Sequence, residues 1–382
     1  KNQLFSQKGV IHIMKIICSK NDLSKGVNIA LKAVPSKTTM PILECILIDA
    51  SSNQIKFVTN DMELGIETIV EGTIAEKGVI ALDAKIFSEI IRKLPDNEVT
   101  IQTDERLNTL ITCEKAKFNI PGKPGEDFVY LPLIERDECI TISQFTLKEM
   151  IRQTIFSIAV NENNKLMTGE LFEIKDNCLK IVSLDGHRIA IRKMELAREY
   201  NDKKLIVPGK TLNEVSKILS GEVDDQVTIY FTKNHILFEF DQTLVLSRLI
   251  EGEYFRIDQM LSSDYETKLK INKKEFLNCI DRATLLVREG DKKPIIINIT
   301  DSSMVLSIDS SMGSMDEEID IVKEGKDILI GFNPKFLIDA LRVIDDEEIT
   351  IYLVNPKAPC FIKDDKGSYT YLILPVNFNQ AR

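Results

Sequence analysis

The chain of 382 residues has no tryptophan and only three histidines, His12, His187 and His235. These form no HxxxH pair and have no cysteine cluster beside them, so neither a structural nor a catalytic zinc site is indicated. The seven cysteines, at 18, 45, 113, 139, 178, 279 and 360, include no CxxC spacing, and an odd number in so long a chain argues against a disulfide framework. Buried free thiols in a reducing cytoplasm are the expectation. The 17 glycines never fall into GxGxxG or GxxxxGK[ST], so no phosphate-cradling loop is legible. No run approaches the roughly 18 apolar residues of a membrane-spanning helix. No metal or other cofactor is implied.

What is present is the composition of a globular protein, 43% hydrophobic and 28% charged. The length predicts two or three domains. A net charge of −10 predicts that the molecule as a whole repels nucleic acid. Residues 1–13 (KNQLFSQKGVIHI) lack the apolar core of a signal peptide and read as a leader, an expression-derived or upstream-read extension ahead of Met14.

The informative signal is internal repetition. Amphipathic helices are expected at Asp22–Val34, Thr146–Ile158 and Lys274–Leu286, each leading into alternating strands from Ile42, Gly169 and Ile295. Asp61, Asp185 and Asp309, at intervals of 124, are expected to end the second strand of each hairpin. A second helix recurs at Ala84–Leu94, Gly209–Leu219 and Asn333–Val343, followed each time by an acidic turn and a strand (NEVTIQ, DQVTIYF, EEITIYL). Three copies of one α+β domain follow, at 14–140, 141–263 and 264–382, each with both helices on one face of its antiparallel sheets.

Charge follows the helices. Six windows around them (20–37, 83–94, 146–157, 208–219, 271–288 and 332–343) hold 17 basic and 8 acidic residues, a net +9 against −19 for the rest. Glu is as good a helix former as Lys, so its scarcity there points to a helical face that attracts a polyanion while the remaining surface repels it. No base-reading motif accompanies that face, which implies sequence-blind phosphate contact.

Four motifs, in order, resemble the bacterial DNA polymerase III β subunit, the sliding clamp: Thr39-Met40-Pro41-Ile42-Leu43; Leu184-Asp185-Gly186-His187-Arg188-Ile189-Ala190; Ile206-Val207-Pro208-Gly209-Lys210; and Leu372-Ile373-Leu374-Pro375-Val376. The resemblance covers residues 14–382. It implies a head-to-tail homodimeric ring around double-stranded DNA, helices facing the lumen and sheets outside. Such a clamp has no catalysis of its own and is cytoplasmic, away from any membrane. It tethers the replicative polymerase α subunit and is opened by a separate clamp loader. The lumen face implied is Lys20, Lys25, Lys37, Lys85, Arg152, Lys210, Lys273, Arg282 and Lys335.

The resemblance also implies a cleft between the second and third domains. There the polymerase, the loader, other polymerases and repair proteins insert a short motif resembling Gln-Leu-x-Leu-Phe. The matching positions are Met167, Leu184, Gly186, His187, Arg188 and Ile189, then Phe255, Gln259 and Met260, then Pro359, Leu372, Ile373, Leu374, Pro375 and Val376. Met and Leu make an adaptable apolar floor, and backbone groups at the Gly186 turn and the C-terminal strand are expected to receive an extended peptide. Ring closure is implied at Phe118 and Ile120 against Leu285 and Leu286 of the other subunit. Leu184 stands where the family carries a smaller threonine, and the arginine some members have at Gln259 is missing. These departures keep open a second reading, a clamp paralogue with altered partner or inhibitor binding. An enzyme using Asp185 and His187 would need a nucleophile that no motif supplies, and a purely structural scaffold would bind no motif peptide. The leader's Gln3-Leu4-Phe5 faintly resembles the clamp-binding motif and suggests that it occupies a neighbour's cleft.

Overall fold

The computed structural model describes residues 14–160, 164–261, 264–288 and 293–378, so the leader with its Gln3-Leu4-Phe5 lies outside the described residues. Six α-helices occur among them: α1 (Lys20–Ala30), α2 (Ala84–Lys93), α3 (Gln144–Arg152), α4 (Gly209–Ile218), α5 (Lys273–Thr284) and α6 (Pro334–Val343). All six fall where the repeat puts them. Two end early: α1 gives way to a tight 3-10 turn at Leu31–Ala33, and α3 is followed by another at Ile155–Ser157. Short polar caps start several of them. Ser19 accepts from the Asp22 N–H (3.0 Å), Asp83 from Ile86 (2.8 Å), Asn272 from Glu275 (3.0 Å) and Asn333 from Lys335 (3.0 Å).

The chain forms two compact units. One takes the chain up to Gln144 together with Ile218–Arg248. Its strands form one 13-stranded antiparallel sheet, in which Leu64–Val70 pairs with Thr243–Arg248. Leu23 and Val27 of α1 and Phe87 and Ile91 of α2 are buried against Ile46, Ile48 and Phe57 of that sheet. Each such side chain contributes roughly 1.5–3 kcal/mol by leaving water.

The other unit takes Phe145–Lys217 and Leu249–Arg382. It holds a seven-stranded sheet, which joins Gly169–Leu184 and Arg188–Pro208 to Tyr369–Ile373, and a four-stranded sheet edged by Gly313–Asp320. Phe276 and Ile280 of α5 and Leu337 and Leu341 of α6 bury against Ile297, Leu306 and Ile330. The run Gly169–Leu184 bends at Asp176 (φ 54°), and an ion pair from Lys180 to Glu173 brings its two halves side by side, as the repeat requires.

Asp61 and Asp185 do follow their strands, but Asp309 lies inside Ser303–Ser310, paired with Ser314. The third hairpin turns later, at Ser310–Gly313, so this aspartate has no turn amides to receive.

Candidate functional site

The turn Asp185–Arg188 is held by its own aspartate. One carboxyl oxygen accepts the N–H groups of His187 (3.0 Å) and Arg188 (3.1 Å), and the other accepts Arg188 Nε (2.9 Å). Gly186 adopts φ +86°, a left-handed conformation that glycine enters without a Cβ clash. Arg188 then runs inward and is only 8% exposed. It donates to Asp339 on α6 (2.6 Å) and to the Phe156 carbonyl (2.7 Å), with its guanidinium 4.5 Å from the Phe336 ring centre. The His187 ring stacks on Phe336 at 5.9 Å. Asp185 is thus committed to Arg188 and to backbone, and the histidine to an aromatic face, which is a wall rather than an acid–base pair.

Beside this turn lies a cavity of about 450 Å³. Met167, Leu184, Gly186, His187, Arg188 and Ile189 line one part, and Phe255, Met260, Pro359, Leu372 and Leu374 the rest. Leu184, Ile189 and Leu372 belong to one buried apolar cluster with Met167 and Phe255 packed on it. Met260, 48% exposed, and Leu374, 36% exposed, form its mobile-chained rim. Asp185 and Asp339 neutralise the single cation in the wall, so the cavity suits leucine, methionine or phenylalanine side chains.

Every residue lining this cavity is one the sequence singled out. Four others are not brought to it. Gln259 faces a neighbouring cavity with Lys180 and Lys204, and Val376 faces a third with Lys326 and Lys357. Ile373 is buried in the α5–α6 core, and Pro375 is half-buried beyond Leu374. Alternation explains Ile373: a strand that sends Leu372 and Leu374 to the cleft sends the residue between them to the opposite face. The expected free strand donors are also partly spent, since the Leu374 N–H bonds the His187 carbonyl (2.9 Å) and the Val376 N–H the Gly331 carbonyl (2.8 Å). Sequence reasoning missed Phe156, Phe336 and Asp339. No local pattern could reveal them, because they meet Arg188 across up to 151 residues of chain.

The candidate DNA-facing cations divide by their partners. Lys25, Lys37, Lys85 and Lys335 are exposed and Lys20 half-exposed, and none of the five makes an ion pair among the described residues. Lys210 is exposed at the start of α4. Arg152 is bound by Glu149 and by Asp345 (2.9 Å), Arg282 pairs with Glu317, and Lys273 donates to the Ile344 carbonyl (2.6 Å). Arg152 and Arg282 therefore carry less free charge than their sequence suggests, whereas Lys273 keeps its charge but is anchored to backbone.

Of the candidate interface residues, Phe118 projects from strand Ala116–Pro124 and Leu285, 74% exposed, follows α5. Ile120 and Leu286 pack partly on the cores of their own units. Among the described residues, 116–121 pair only with Asn108–Cys113, and Gly313–Asp320 only with Ser303–Ser310. Both are open sheet edges. The first carries Lys117 with Lys115 beside it, and the second carries Asp316, Glu317 and Glu318.

Repeated helix-backed antiparallel sheets with an apolar, motif-sized cavity define a binding scaffold. Three sequence profiles of the DNA polymerase III beta subunit match in order: the N-terminal domain over 14–132, the central domain over 141–255 and the C-terminal domain over 258–377. The chain belongs to this family. It is 36% identical over 375 residues to the beta sliding clamp of Staphylococcus epidermidis, covering 95% of this chain and 99% of that protein. A putative DNA polymerase III beta subunit from Eubacterium rectale has a solved structure with TM-score 0.93 and 71% identity, covering 96% of this chain and 100% of that one. The sliding clamp of Bacillus subtilis superposes at TM-score 0.93 with 35% identity, over 96% of this chain and all (100%) of that one. These names favour the sliding-clamp reading over the altered-partner paralogue.

Proposed function

We propose that the chain is the processivity clamp of a bacterial replicase. In this reading two copies close head to tail around duplex DNA in the cytoplasm, and the replicative polymerase and clamp loader dock through short motifs in the Met167–Leu374 cleft. Other polymerases and repair proteins use the same cleft in turn, and catalysis resides in those partners. The three repeats are assigned as 14–140, 141–263 and 264–382. The observation that carries the reading is the cavity itself. Eleven residues placed by family resemblance converge on one apolar pocket in a chain that matches the clamp family along its length.

The physical logic is that of topological tethering. A ring needs no tight grip on DNA, and weak phosphate contacts from exposed lysines hold the duplex without arresting sliding. The two open sheet edges are of opposite charge, so pairing the basic edge of one copy with the acidic edge of another buries both and steers the head-to-tail register. A labelled Gln-Leu-x-Leu-Phe peptide should saturate the wild-type chain and lose most of its affinity on Met167→Ala/Leu374→Ala. An unbound wild type would withdraw the cleft assignment.

A further inference from the structure

A second junction in the molecule repeats the construction of the cleft on a smaller scale. At the cleft, Ile189 pairs with Leu372, and the Leu374 N–H bonds the His187 carbonyl. In the other compact unit, Gly65 pairs with Leu246, and the Arg248 N–H bonds the Glu63 carbonyl at the same 2.9 Å. A cavity of about 200 Å³ lies there, lined by Glu63, Leu131, His235, Leu246 and Arg248 among others. Its smaller size has a local cause. Leu131 seats over Gly65 so closely that a Cβ there would stand 1.8 Å from Leu131 Cδ2, whereas the cleft has Ile189 in that place.

Two features distinguish this cavity chemically. Apolar groups supply most of its lining, beside Asn60 and His235, and Arg248 is exposed with a guanidinium that makes no ion pair among the described residues. Its strand partner His235 adds no competing positive charge, since burial and Arg248 itself push that imidazole toward the neutral form. Glu63 is also exposed at the lining and unpaired among the described residues.

We propose that this junction is a second docking site, taking an extended segment of another protein with one leucine-sized side chain beside a single carboxylate. The inference rests on the reading of the larger cleft as a peptide site, of which this is a reduced copy. The space over Leu246 admits one apolar anchor rather than two. Arg248 supplies a charge-assisted partner for a flanking Asp or Glu. Glu63 repels a second one, so the segment is not an acidic run.

The test uses the full chain and two labelled peptides in anisotropy titrations. One contains Gln-Leu-x-Leu-Phe, and the other a single Asp-Leu pair among serines. The Asp-Leu peptide should saturate one site per chain on the wild type and equally on Met167→Ala/Leu374→Ala. Arg248→Ala should weaken it about tenfold, the scale of a lost charge pair, and so should replacing its Asp by Asn, which leaves the protein untouched. Arg248→Ala should leave the Gln-Leu-x-Leu-Phe titration unchanged. Displacement of the Asp-Leu peptide by the other peptide, indifference to both charge removals, or no binding at all would overturn the proposal. Failure of the Gln-Leu-x-Leu-Phe peptide alone would remove the larger cleft's assignment while leaving an Arg248-dependent site standing.

Discussion

Arg188 and Asp339 meet at 2.6 Å, joining the turn that walls the cleft to helix α6. Because Arg188 is almost fully buried and also serves Asp185 and the Phe156 carbonyl, one side chain holds three segments together. Removing it leaves two carboxylates without their cation. Arg188→Ala should therefore cost about 3 kcal/mol of stability, measured by denaturant unfolding. Arg188→Lys should recover only part of that, because an ammonium cannot reproduce the planar fork. A loss below about 0.5 kcal/mol, the scale of an exposed pair, would refute the structural role.

Gly186 offers a cleaner measurement. Its φ is +86°, yet nothing lies within 4 Å of an added Cβ. Gly186→Ala should cost only backbone strain, roughly 1 kcal/mol, with little change in peptide affinity. A much larger cost would mean that the turn cannot keep its conformation.

Glu170 is fully buried, with neither carboxyl oxygen hydrogen-bonded among the described residues. Desolvation pushes its pKa from 4.5 up to about 8 and outweighs the opposing effect of the neighbouring Thr154 hydroxyl, which donates to the Met150 carbonyl (2.8 Å). Between those two values the folded chain keeps a proton that the unfolded chain has released. Stability should therefore fall as pH rises through that window and level off above it. Glu170→Gln should flatten this slope in thermal melts taken from pH 5 to 9. Parallel slopes for the two proteins would contradict the assignment.

The lysines without ion pairs should dominate DNA attraction. Replacing Lys25, Lys85 or Lys335 by Ala should each lower the log–log salt slope of duplex binding by about 1. Arg152→Ala and Arg282→Ala should change it less, since Glu149, Asp345 and Glu317 already neutralise those guanidiniums. Equal effects from both sets would show that the ion pairs open on DNA.

Ring closure should depend on edge charge. Lys115→Glu/Lys117→Glu should raise the dimer dissociation constant about tenfold at low salt, the effect shrinking as salt screens it. Sedimentation at two ionic strengths decides the matter, and a salt-independent dimer would point to Phe118 and Leu285 alone.

Much of this was legible in the chain. A threefold helix–hairpin–helix–strand pattern follows from local periodicity, which depends only on which residues recur at 3.6 and 2.0 spacing. The cleft residues were legible for a different reason: the Leu184–Ala190 and Leu372–Val376 segments are contiguous motifs. Their sorting was not, because Ile373 and Val376 are as apolar as Leu374 and only backbone alternation and the course of the chain past the last strand send them elsewhere.

Sequence by itself determined the repeat, the apolar faces and the bias of basic residues toward helices, since each is a property of neighbours along the chain. Tertiary structure alone decided that Arg188 is a strut and that Arg152 and Arg282 are neutralised. It also decided that the second repeat is shared between two compact units. Strands Leu64–Val70 and Thr243–Arg248, and likewise Arg188–Pro208 and Tyr369–Ile373, satisfy their edges across repeat boundaries. Backbone hydrogen bonding is blind to residue identity, so which edges meet is not written in any local pattern.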